Sequence, residues 1–190
     1  MRELGPLLLS IVVVIHHTMQ VMQIIRTKEG KQLEAALYVA SQICYVTPEY
    51  FRQMLESDTE AAAAAELVEK LVDTLNSNRE PSDECPRIRR VLVEVIISIV
   101  ELCPGYTKIF REKGVKDALD MVKGTPSRVE RYRVFLYEKR VIAESIPMSD
   151  LVDMAKRLIH QSISNPGCST SQPRNRLQGL YRPSTSIYMH

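Results

Sequence analysis

The sequence predicts an all-α protein built from stacked helical repeats, and three observations carry that expectation. Apolar residues make up 45% of the 190 residues, mostly Ala, Val, Leu and Ile, with no Trp and only 7 Gly. They recur at the i, i+3, i+4, i+7 spacing of one helix face, and Pro and Gly fall mainly between the periodic segments. One stretch of the chain also matches another at a fixed offset.

The elements follow in order. Val14, Ile15, Met19, Met22 and Ile25 mark a helix over Ile11–Arg26, ended by Lys28-Glu29-Gly30. Leu33, Ala36, Leu37, Ala40, Ile43 and Cys44 stripe a second helix from Gln32 to Val46. Thr47-Pro48 stops it, because a residue before proline is pushed out of helical geometry. A short helix is expected over Glu49–Glu56. Another is expected over Glu60–Leu75, where the alanine run 61–65 has the highest helix propensity available. Asn76–Pro86 is a polar loop. Ile88–Cys103 alternates like a strand, with Val91, Val93, Val95, Ile97 and Ile99 on one side. Its length favours a helix, since strands are typically about 5–6 residues long, and Pro104-Gly105 supplies the stop. Further helices are expected over Tyr106–Lys113, Val115–Lys123, Ser127–Ile142 and Asp150–His160, punctuated by Gly114, Gly124 and Pro147.

The internal match sets ICYVTPEYFRQM, from Ile43, against LCPGYTKIFREK, from Leu102, at an offset of 59 residues. It pairs Cys44 with Cys103, Phe51 with Phe110 and Arg52 with Arg111, and upstream it pairs Leu33, Ala36, Leu37 and Ala40 with Leu92, Val95, Ile96 and Ile99. A next copy is expected near Val129. Helical units of roughly 40–47 residues bury their apolar faces only by stacking on neighbours. The polar stretches Ser57–Glu60 and Asn76–Arg87 account for the longer first spacing as insertions.

The segment Ile88–Leu136 resembles the armadillo-repeat family, showing in order its long third helix, short first helix, glycine turn at Gly114-Val115 and second helix. Glu34–Cys44 resembles the third helix of an earlier unit, and the likeness, nearest to plant armadillo-like proteins, covers about residues 7–160. It implies a right-handed α-solenoid and a non-enzymatic scaffold or adaptor whose third helices present a groove to another protein. The groove positions that correspond to the family's are Tyr38, Gln42, Ile97 and Glu101, with Arg131 further along. Importin-alpha-like members carry Trp and Asn there, so nuclear-import activity is not implied. A second reading makes the chain a fragment or regulatory subunit of a larger armadillo protein, such as a ubiquitin-ligase-associated adaptor.

Charge and motifs narrow the alternatives. A net charge of +2, from 25 basic and 23 acidic residues, gives no long-range field for recruiting nucleic acid. The cysteines at 44, 85, 103 and 168 form no CxxC pair and read as reduced thiols of a cytoplasmic or nuclear protein. Cys44 and Cys103 are the residues a nucleophile would use, but on a helix's buried face they read as small hydrophobes. His16, His17, His160 and His190 lack the i, i+4 spacing of a zinc helix. The glycines never cluster into a phosphate loop, so neither cofactor nor small-molecule substrate is expected. Two basic clusters, Arg87/Arg89/Arg90 and Arg128/Arg131/Arg133/Lys139/Arg140, read as solvated faces balanced by Glu94, Glu130 and Glu138, or as a ridge toward an acidic partner.

The ends complete the expectation. Leu7–Ile15 (LLLSIVVVI) lacks the flanks of a signal peptide and falls short of the ~20 residues a bilayer requires, so it reads as buried helix rather than membrane anchor. No polar capping helix precedes it, so an exposed apolar edge is expected that drives self-association or requires a larger partner, unless the chain is a fragment of a longer armadillo protein. Residues 161–190 are rich in Ser, Thr, Pro, Asn and Gln, contain no acidic residue, and are expected to be a disordered tail.

Overall fold

The computed structural model describes residues 4–57, 61–125 and 146–161. Among them the chain is all-helical, without a strand: α1 (Leu4–Thr27), α2 (Gly30–Val46), α3 (Pro48–Ser57), α4 (Ala61–Ser77), α5 (Ile88–Leu102), α6 (Tyr106–Glu112), α7 (Val115–Gly124) and α8 (Met148–Gln161). The expected helix Ser127–Ile142, with Arg131, lies outside the described residues, as does the expected tail beyond Gln161. The apolar run Leu7–Ile15 and the helix expected from Ile11 are one helix. Nothing between them breaks it, and Pro6 falls in its first turn, where a missing N–H costs little. No helix among the described residues is long and apolar enough to cross a membrane.

α5 explains why its sequence imitates a strand. All of its residues except Glu101 are buried, and it is ringed by α2, α3, α4, α6 and α8. A helix enclosed on every side keeps no polar face, so apolar residues fill the phases between the usual stripe. Fully burying one side chain such as Ile96 contributes about 1.5–3 kcal/mol, and the core continues through Ile25, Leu37, Leu71, Phe110, Leu119 and Val152.

The internal match is carried by buried positions. Leu33, Leu37, Ala40 and Cys44 of α2, and Leu92, Ile96, Ile99 and Cys103 at the offset of 59, all lie in the core, and α2 packs directly on α5. Phe51 of α3 and Phe110 of α6 are both fully buried. Ala64, Leu67, Val68 and Leu71 of α4 correspond to Val115, Ala118, Leu119 and Val122 of α7 at an offset of 51, and these helices also pack together. The offset shortens because α6 and α7 meet through a tight turn: Gly114, at φ 72°, occupies the left-handed region that glycine enters without penalty.

Polar clasps join the ends of the helices. The Tyr106 hydroxyl donates to the Leu55 carbonyl (3.1 Å), linking α6 to α3. The Glu34 carboxylate accepts from the Arg87 N–H (2.6 Å) just ahead of α5. Arg89 and Arg90 correct the expectation of a basic surface, because both are buried. Arg89 Nη1 donates to the Arg79 carbonyl (2.6 Å) and to Thr125 Oγ1 (2.7 Å), and its Nη2 donates to the Thr125 carbonyl (2.7 Å). Arg90 pairs with Glu94 (3.0 Å) and donates to the Ile146 carbonyl (2.8 Å), fastening the approach to α8. A planar guanidinium can serve several acceptors at once, which suits arginine to these junctions.

Candidate protein-binding face

Three of the five exposed large apolar side chains among the described residues, Val39, Tyr45 and Val46, lie on α2. Its inner stripe is buried, while Ala35, Val39, Gln42 and Val46, stepping i, i+4, i+7, i+11, form an exposed ridge flanked by Tyr38 and Tyr45. Val46 is 70% exposed, Val39 42% and Tyr45 37%, and Met19 on the adjoining α1 is 61% exposed. Isolated exposed apolar residues are ordinary, but several on one helix face mark a surface that another protein can cover.

The expected groove residues separate on the structure. Gln42 is exposed at the centre of the α2 ridge, and Tyr38 is half-buried with its ring against the core. Ile97 is fully buried inside α5, so it is a core residue and cannot meet a partner. Glu101 is half-buried at the end of the same helix. α2 therefore keeps an open face, whereas α5 is closed off by its neighbours. Val39, Tyr45 and Val46 belong to the open face but not to the expected groove. Val39 and Val46 stand outside the buried phase of α2, and that displacement is the signal the sequence carries for them.

Among the described residues the cysteines are buried, whereas His16, His17 and His160 are exposed. Burial pushes all three described thiols upward: Cys103 to about 11, Cys44 strongly in the same direction although a hydrogen bond with Ser98 opposes the shift, and Cys85 likewise. At neutral pH they are thiols rather than thiolates. His16 and His17 are exposed, their ring centroids 6.3 Å apart, and the Gln20 amide donates to His16 Nε2 (2.9 Å). Among the described residues no three His, Cys, Asp or Glu side chains converge as metal ligands would. Comparison with protein-family models, curated proteins and solved structures finds no match to this chain.

Proposed function

We propose that the chain is a non-catalytic scaffold, a stack of armadillo-like helical units that holds another protein on the outward face of α2. The observation that carries the reading is the exposed ridge of Val39, Gln42, Tyr45 and Val46 on a helix whose other face is locked into the core. Rigid backing keeps the ordering cost of association low, and a largely apolar ridge bordered by the exposed Lys31 and Gln32 resembles the apolar centre and polar rim of a binding surface. The succession α2–α3–α4 followed by α5–α6–α7, with equivalent buried positions, supports the stacked-unit reading. Cys44, Cys85 and Cys103 are free thiols, the form that a reducing cytoplasmic or nuclear setting maintains.

The test places a photo-crosslinking residue at Gln42 and compares the native face with a Val39→Asp, Val46→Asp double variant. Both changes are on the surface, so helicity and melting should be retained. Crosslinked protein bands should vanish with the double variant. Identical bands from the two would show that this face is not the binding surface.

A further inference from the structure

We propose that Thr125 is a phosphorylation site for a proline-directed protein kinase, and that its phosphate frees the loop anchored at Arg79. In the sequence Thr125 is followed by Pro126, with Arg128 three places on, which joins the proline such kinases require to the cation that many of them read. Thr47-Pro48, the other Thr-Pro pair, has Tyr50 at that third place. Thr125 is half-exposed and caps the C-terminal end of α7, a position where helices fray.

The surrounding geometry turns the modification into a change of structure. Thr125 Oγ1 donates to the Arg79 carbonyl (2.6 Å) while accepting from Arg89 Nη1, which itself donates to the same carbonyl (2.6 Å). One carbonyl in the link between α4 and α5 is thus held by one hydroxyl proton and one guanidinium nitrogen. In the transfer, Thr125 Oγ1 attacks the γ-phosphorus of ATP. The new O–P bond forms as the bond to the β,γ-bridging oxygen breaks, ADP departs, and the hydroxyl proton passes to the kinase's base. The esterified oxygen has no proton left for Arg79. The phosphate brings nearly two negative charges and three strong acceptor oxygens beside Arg89, and these outcompete a neutral carbonyl for Nη1. The negative end of α7 repels the same charge and directs it toward the guanidinium. Arg79 loses the hydroxyl donor outright and its bond from Arg89 weakens as the guanidinium is drawn to the phosphate, and the loop it anchors opens more readily.

The experiment treats the full chain with an active proline-directed serine/threonine kinase and Mg·ATP, maps the phosphate by mass spectrometry, and follows amide hydrogen exchange and the ³¹P titration. The expected result is phosphate on Thr125, absent from Thr125→Val, with exchange at Asn78, Glu84 and Cys85, the hydrogen-bonded amides of that loop, accelerated about fivefold to tenfold, the loss of a hydrogen bond or so. Thr125→Val, which removes the proton but adds no charge, should accelerate the same amides less. The phosphate should titrate below the ~6 of an unpaired phosphomonoester, reporting the Arg89 contact even if Arg89 variants fail to fold. Phosphate on Thr47 or elsewhere in place of Thr125 overturns the proposal. So does a Thr125 left unmodified in the folded chain when a peptide of residues 119–131 is modified, a phosphate that leaves exchange at Asn78, Glu84 and Cys85 unchanged, or one with an ordinary titration.

Discussion

Arg90 and Glu94, one turn apart on α5, form an ion pair at 3.0 Å with side chains only 4% and 9% exposed. Taking two charges out of water costs several kcal/mol per ion, which mutual attraction and the bond from Arg90 to the Ile146 carbonyl must offset. Removing one partner leaves the other charge stranded. Glu94→Leu should therefore cost about 3–5 kcal/mol, and Arg90→Met, Glu94→Leu together should cost less than the two single changes added. Urea unfolding of the four proteins measures the coupling, and strictly additive losses would show that the pair is not energetically linked.

Phe51 and Phe110 hold equivalent places in α3 and α6, and neither is exposed. Truncating either ring leaves a cavity that close-packed neighbours fill only in part. Phe51→Ala and Phe110→Ala should each cost about 3–5 kcal/mol, a loss large enough to unfold a marginal domain at 37 °C. Far-UV circular dichroism during denaturation checks both. A cost near zero at one position and not the other would break the equivalence of the two units.

The helices were legible because each has a periodic stripe and a chemical stop: Thr47-Pro48 after α2, Pro104-Gly105 after α5, and Gly114 between α6 and α7. What was not legible is which faces are covered. Ile97 and Tyr38 hold equivalent places at the offset of 59, yet Ile97 is core while Tyr38 is half-buried beside the exposed Gln42, because neighbours distant in sequence enclose α5 and leave α2 open. The arginines misled for a related reason. A cluster such as Arg89-Arg90 looks solvated until loops from residues 79, 125 and 146 are folded around it, and nothing local to α5 encodes their arrival.

Gly114 tests the turn that shortens the second unit. A Cβ built there meets nothing within 4 Å, so the penalty for substitution is the left-handed backbone alone. Gly114→Ala should cost about 1–2 kcal/mol, and Gly114→Asn, which tolerates that region better, should cost less. Thermal melts of the three proteins provide the comparison. Equal melting temperatures for Gly and Ala would mean that the turn relaxes to another conformation.

The thiols give stability a pH dependence whose sign follows from burial. Cys103 has a folded value of about 11 against an ordinary 9.0, and Cys44 shifts in the same direction, so the folded chain holds these protons more tightly than the unfolded one. Their contribution is fully present below pH 9, where both states are protonated. It declines as the pH climbs from the ordinary thiol value toward the folded one, because the unfolded chain ionises first. In a Cys168→Ser background, unfolding free energy should fall between pH 9 and pH 11, and the additional changes Cys44→Ala and Cys103→Ala should flatten that fall. The same burial predicts that Cys44 and Cys103 react with a disulfide reagent at neutral pH only through transient opening. Their labelling rate should therefore rise steeply with urea. Rapid labelling of both in the absence of denaturant would show that these cysteines are accessible thiolates and would return them to consideration as nucleophiles.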